Sequence, residues 1–237
     1  MNVTVWCEGV LPQSKPDLAA IYPEGMEVAI AEGLRALLPH ATIRTATLGD
    51  PDSGLSDAVL DDTDVLLWWG HLAHDDVPED RVAAVHERVL GGMGLIALHS
   101  AHFSTIFRRL MGTTCSLGWR NDAGREVIWS VAPTHPIARD IPGHVILPAH
   151  ETYAEFFDVP RPDDVVFISN HDGGEAFRSG LTFTRGLGRI FYFSPGDESY
   201  PIFRNEWILK IIANATNWAH PSSRGAAPTA VHVAPPA

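Results

Sequence analysis

The sequence predicts an α/β protein: a parallel sheet with helices on both faces, extended in its second half by strand-rich insertions. Three observations predict it. Residues 64–69 and 94–98 are almost continuously apolar, the mark of strands covered on both faces. Stretches with apolar residues at three-to-four spacing alternate with them in a βαβ…βαβα order, which calls for parallel strands joined by helical crossovers. Beyond residue 127, short β-like stretches separated by Gly, Pro and Asp run on to one closing helix.

The elements follow in order. Residues 2–7 are a short β-rich run ending at Glu8-Gly9. Residues 24–38 predict a helix with Met26, Ile30, Leu34 and Leu37 on one face, stopped by Pro39. Residues 41–47 are β-like. Residues 78–90 begin with Pro78-Glu79-Asp80, a good first turn, carry Val82, Val85 and Val89 on one face, and end at Gly91-Gly92. Residues 104–111 make a short helix. Strands are expected at 127–130, 145–147, 165–169, 181–184 and 189–194. The last helix, residues 205–218, turns Ile208, Ile211, Ile212 and Ala215 inward. No repeat or linker interrupts residues 1–220, which are expected to form one domain. Residues 221–237, rich in Pro and Ala with Arg224 as the single charge, are expected to be a disordered tail.

Composition narrows the function. The 237 residues are 45% hydrophobic and 19% charged, an ordinary globular balance. Seventeen Lys+Arg against 29 Asp+Glu give a net charge of −12, which argues against nucleic acid or an anionic membrane as partner. The apolar runs are far shorter than the roughly 18 residues of a membrane span. Residues 1–7 read as a strand and not as a secretion signal. Cys7 and Cys115, the two cysteines, supply no disulfide framework, so a cytoplasmic protein is expected.

In a parallel α/β sheet, ligands bind beyond the carboxyl ends of the strands. Five of the twelve histidines fall at such positions: His71, His74, His99, His102 and His150. Two His–x–x–His spacings, His71/His74 and His99/His102, can each turn two imidazoles to one side. These four are the candidate metal ligands, zinc first, the alternative being hydrogen-bonded loop anchors. His99 and Ser100 stand where a strand turns sharply into a helix. Leu98-His99-Ser100-Ala101-His102 lacks the glycines that flank a serine nucleophile, which leaves His99 as base, acid or ligand. Glu151, beside Tyr153, is a candidate base or ligand. Asp197 and Glu198 follow Pro195-Gly196 and could orient a histidine, bind sugar hydroxyls or stabilise a turn. The tryptophans are assigned to the core, save that one of Trp68 and Trp69 is placed to line a pocket. Cys115 is not at a strand-to-helix turn and is not expected to be a reactive thiol.

The segments Trp68-Trp69-Gly70-His71-Leu72-Ala73-His74-Asp75-Asp76-Val77 and Gly92-Met93-Gly94-Leu95-Ile96-Ala97-Leu98-His99-Ser100-Ala101-His102-Phe103-Ser104 resemble the hallmark segments of the ThuA-like (trehalose-utilisation) family. Gly173-Gly174-Glu175-Ala176-Phe177-Arg178-Ser179-Gly180 and residues 185–193 resemble it too. The resemblance implies a flavodoxin-like, class I glutamine amidotransferase-like fold. It also implies a part in the use of trehalose and related disaccharides, beside dehydrogenases that make 3-keto sugars. It implies no glutaminase activity, since His99 stands where an amidotransferase places its cysteine. The chain departs from the expected pattern at Asp197, where histidine is expected, and at His150, where an acid is expected; Glu198 and Tyr200 match.

The expectation is therefore a metal-dependent isomerase, hydrolase or lyase of an oxidised sugar, with His99, Glu151 and Glu198 catalytic. Its divalent metal, zinc first, would sit on His71, His74, His99 and His102. Tyr153, Arg178, Asp197 and Tyr200 would bind the small-molecule sugar, with Arg120 a further candidate, and the protein would self-associate as a homo-oligomer. The alternative is a non-catalytic sugar-binding or regulatory protein.

Overall fold

The computed structural model describes residues 1–10 and 16–230. Its first half comprises β1 (Asn2–Cys7), α1 (Met26–Leu37), β2 (Thr42–Thr47), α2 (Asp57–Asp62), β3 (Val65–Trp69), α3 (Glu79–Leu90), β4 (Gly94–Leu98) and α4 (Thr105–Met111). Its second half comprises β5 (Gly118–Ser130), β6 (His144–Ala154), β7 (Asp164–His171), β8 (Ala176–Arg185), β9 (Gly188–Phe193) and α5 (Glu206–Ala219).

All nine strands join one sheet in the order β2-β1-β3-β4-β9-β8-β7-β5-β6. The first five in that order are parallel, and β9 is where the sheet changes character: parallel to β4, antiparallel to β8. Alternate side chains of the central strands feed two cores. Val3, Val5, Leu67 and Trp69 pack with Ile30 and Leu34 of α1 and with Ile208, Ile211 and Ile212 of α5. Trp6, Leu66 and Trp68 join Val82, Val85 and Val89 of α3 and Phe107 of α4 on the opposite face. Each fully buried isoleucine of α5 contributes about 1.5–3 kcal/mol over its exposed state, which is why this closing helix docks firmly. Asn205 caps it, its Oδ1 accepting from the N–H of Trp207 (2.9 Å) and Ile208 (3.2 Å).

Two departures from the expected elements have physical causes. β5 begins at Gly118, well ahead of the expected residue 127, because its first half is polar and solvent-facing and its pairing with β6 shifts register between Arg120 and Gly124 and again before Glu126. A strand with so little buried face leaves no alternation to read. The short helix α2 buries Leu60 alone, so periodicity does not betray it.

Residues 221–230 form no helix or strand and lie against the turn after α3, where the Gly225 N–H donates to Gly91 O at 3.0 Å. The rest of the expected disordered tail, residues 231–237, lies outside the described residues. No helix among the described residues is long and apolar enough to cross a membrane.

Candidate active site

β4 ends at Leu98, and the chain turns into a single 3-10 turn, His99–Phe103, whose first residue has φ 53°. A β-carbon at positive φ is strained, and such residues cluster where function over-determines the backbone. The His99 imidazole is 1% exposed. Its Nδ1 lies 2.7 Å from Ser194 O; a carbonyl only accepts, so Nδ1 donates there and Nε2 is the nitrogen turned to the cluster. Nε2 faces Glu151 Oε2 at 3.2 Å, Asp197 Oδ2 at 3.8 Å and the Tyr153 hydroxyl at 3.3 Å. The Tyr153 ring stacks on the imidazole, 4.8 Å away and 5° from parallel.

Asp197 is held on every side. Its Oδ2 accepts from Asn121 Nδ2 (3.1 Å) and its Oδ1 from the Ser199 N–H (2.7 Å). The preceding Gly196 has φ 152°, and a β-carbon there would lie 2.9 Å from both His99 Cβ and Phe203 Cζ, so only glycine fits. Trp69 Nε1 donates to Gly196 O at 2.9 Å, while Trp68 stacks on Trp6 in the core. The electrostatics follow from burial of unlike charges together. Burial opposes protonation of His99, but hydrogen bonds to Asp197 and Glu151 and their charges outweigh it and hold the ring up at about 10. Burial pushes the Asp197 carboxyl up, and His99 and the Ser199 N–H more than reverse this, leaving it well below the usual carboxylate range.

Glu151 and Tyr153, from β6, carry this cluster to the wall of a cavity of about 340 Å³. His71, His74, His102, Ser100, Phe103, Leu117 and Trp119 complete much of the lining. Trp119 (69% exposed) and Phe103 (43%) form an open aromatic rim.

The four histidines expected to share a metal do not converge. Among the described residues, the group whose ligating atoms come together, all within 4.8 Å, is His99, Glu151 and Asp197. His71 and His102 are each turned by a partner of their own, and His74 Nδ1 is buried without one. His71 Nδ1 pairs with Glu198 Oε1 at 2.9 Å, which raises its pKa against the opposing effect of burial. His102 Nδ1 donates to Cys115 O at 2.7 Å, and burial pushes the ring down to about 3 despite that bond. His74 is pushed down to about 4 by burial and by the charges of His71 and Arg108. Glu198 is thus engaged with His71 and is absent from the converging group.

Arg178 pairs with Glu155 (2.7 and 2.9 Å) and donates to Phe157 O at 2.9 Å, so it does not line the cavity. Arg120 is held by Asp122 and Glu175. Tyr200 acts at one remove: its hydroxyl donates to Asn121 Oδ1 (2.9 Å), and Asn121 in turn holds Asp197. The Cys115 thiol is buried, which pushes its pKa up, and it is no thiolate nucleophile.

Three contributors were not foreseen. Glu8, directly after β1, accepts the backbone N–H groups of His71 (2.7 Å), Leu72 (2.7 Å) and Ala73 (3.0 Å) and so orders the loop after β3; an acid at a strand's carboxyl end was its only signal. Asn121 lies in the polar half of β5, where the sequence pattern was silent. Trp119, assigned to the core, stands on the cavity rim, because this part of the sheet is solvated.

This architecture is that of the glutamine amidotransferase-like α/β proteins. A ThuA-like protein from Parabacteroides merdae superposes with a TM-score of 0.68 at 13% identity, covering 94% of this chain and 91% of that one. A ThuA-like protein from Bacteroides uniformis gives 0.64 at 14%, covering 92% and 90%. A glutamine amidotransferase from Thermotoga maritima gives 0.52 at 12%, covering 92% and 97%. The profile of the ThuA family, described as trehalose utilisation, matches residues 3–219, and the chain belongs to that family. No curated protein matches the sequence significantly.

Proposed function

We propose that the protein is a carbohydrate-modifying enzyme acting on a keto-bearing sugar related to trehalose, removing the proton next to the carbonyl and so leading to isomerisation or to cleavage of the glycoside. Membership of a trehalose-utilisation family supports the substrate class. The observation that carries the chemistry is the convergence of His99 Nε2, Glu151 Oε2 and Asp197 Oδ2 beside a cavity.

The donor set fits a divalent cation. One imidazole, fixed by a backbone carbonyl on its other nitrogen, and two carboxylates are the ligands of choice for zinc, manganese or iron. Neighbouring ligand atoms around an ion bound at 2.0–2.1 Å are about 3.0–3.4 Å apart, and Nε2 stands 3.2 and 3.8 Å from the two carboxylate oxygens. When bound, the cation would polarise the sugar carbonyl and acidify the adjacent C–H.

The chain's own residues do the rest. His99, Asp197 and Glu151 would hold the ion. Glu151 is the member of the three on the cavity wall, and its second oxygen, Oε1, is the proton acceptor. His74 and His102 stay uncharged at neutral pH and offer hydrogen-bonding nitrogens to sugar hydroxyls. Trp119 offers a flat apolar face to a sugar ring.

The test is elemental analysis by mass spectrometry of protein purified without chelator, with NMR assay of 3-ketotrehalose conversion. Near-stoichiometric zinc, manganese or iron is expected, with conversion that falls by about 10²–10⁴ in Glu151→Gln. Protein that stays metal-free in excess metal and returns the keto-sugar unchanged would overturn the proposal.

A further inference from the structure

β5 and β6 hold a buried pair that the proposed chemistry does not use. His150 Nδ1 lies 2.7 Å from Glu126 Oε2, and both side chains are at most 2% exposed. Ser169 Oγ donates to the other oxygen of Glu126 at 2.5 Å. On its far side, His150 Nε2 accepts two backbone N–H groups, those of Gly196 (3.1 Å) and Asp197 (3.3 Å). Peptide N–H groups are fixed donors. Nε2 must therefore present its lone pair, and the ring's one proton sits on Nδ1, close to the Glu126 carboxylate but out of line for a hydrogen bond with it.

We infer that Glu126 and His150 are positioning residues: the Glu126 carboxylate, close beside Nδ1, favours the tautomer that leaves Nε2 bare, and His150 grips the peptide N–H groups of Gly196 and Asp197 so that the Asp197 carboxylate points at His99. Gly196 has no side chain with which to anchor itself, and its positive φ is one that few residues adopt. The turn is pinned through its backbone instead, by Trp69 at the Gly196 carbonyl and by His150 at the two N–H groups. An apolar residue at position 150 would leave both N–H groups buried and unpaired. Outer partners of this kind set ligand orientation, and their loss typically lowers metal affinity 10–100-fold. For that consequence the inference rests on the metal reading above.

The experiment uses the full chain labelled with ¹⁵N-histidine. Long-range ¹H–¹⁵N correlation at pH 7.5 is expected to give His150 a protonated Nδ1 and a bare Nε2; a protonated Nε2 in the unmodified protein overturns the inference with no variant needed. Zinc titration is then compared across Glu126→Leu, His150→Leu and His150→Gln. The two leucine variants are expected to bind 10–100-fold more weakly. His150→Gln, whose amide oxygen can accept the same N–H groups, is expected to recover most of the loss. In metal-free protein the leucine variants should also move the His99 side-chain resonance, and His150→Gln should restore it. A His99 resonance unmoved in folded leucine variants overturns the inference whether or not zinc binds. Failure of the unmodified protein to bind any metal counts against the metal reading alone.

Discussion

The cavity has two unlike walls. The inner one, Glu151 and Tyr153 with His99 and Asp197 directly behind them, is buried, and its polar atoms are tied to the backbone or to one another. The outer one, Trp119 and Phe103, is exposed and apolar. In the inner wall the local dielectric is low and the geometry fixed, so charges act strongly and any change is costly. At the outer wall contacts are made in solvent and add area without directing chemistry. The contrast separates turnover from affinity, and variants can be ranked by which wall they touch.

The largest effect is expected from His99→Asn. Asparagine tolerates the left-handed backbone at this position, and its amide nitrogen can replace Nδ1 as donor to Ser194 O, so the fold is retained. Nε2 is lost, and with it the meeting point of Glu151 and Asp197. Turnover is expected to fall by about 10²–10⁴ with bound metal lost together, while sugar affinity changes little. Steady-state kinetics beside metal content checks this. A variant that keeps its metal and its rate would move the chemistry away from the inner wall.

Next comes an acid effect set by His74 and His102, whose folded-state pKa values of about 4 and about 3 lie below the ordinary 6.5. Below pH 6.5 the unfolded chain binds protons that the folded state refuses, so stability falls as pH falls. At pH 5 the loss is about 2 kcal/mol for each ring. His102→Asn keeps a donor for Cys115 O and removes the titration. Urea melts at pH 5 and 7.5 should show this variant losing less than the parent protein; equal losses would sink the assignment.

Trp119→Ala tests the outer wall. Removing an aromatic face from a solvent-exposed sugar site costs about 0.5–1.5 kcal/mol, a 2- to 12-fold weaker KM, with kcat unchanged. A drop in kcat of the size seen for the inner wall would erase the distinction between them.

The same contrast explains how much the sequence disclosed. The parallel half was legible because β3 and β4 are buried on both faces and their carboxyl ends are marked by polar residues; His99 was found that way. Its partners Glu151 and Asp197 were each noticed, but not their meeting, because β6 and the turn after β9 are far apart in the chain and come together only through the antiparallel extension. The four histidines do not meet for a physical reason: i, i+3 spacing brings rings near one another, while the separate partners of His71, His99 and His102 decide where those rings point. The two departures from the expected family pattern, His150 and Asp197, are themselves in contact through the Asp197 N–H. In the fold they are halves of one arrangement.

The smallest effect is expected at Arg178, which the sequence placed on the substrate. Its guanidinium is bound to both oxygens of Glu155 and to Phe157 O, beyond either wall of the cavity. Burial raises the Glu155 carboxyl, and the bond to Arg178 more than offsets this, so the pair joins β8 to the segment after β6. Partly exposed pairs of this kind contribute about 0–1 kcal/mol. Arg178→Ala is therefore expected to shift the urea midpoint slightly and to leave KM and kcat within twofold. A tenfold rise in KM at unchanged stability would give the cavity a third, cationic wall and return Arg178 to the substrate.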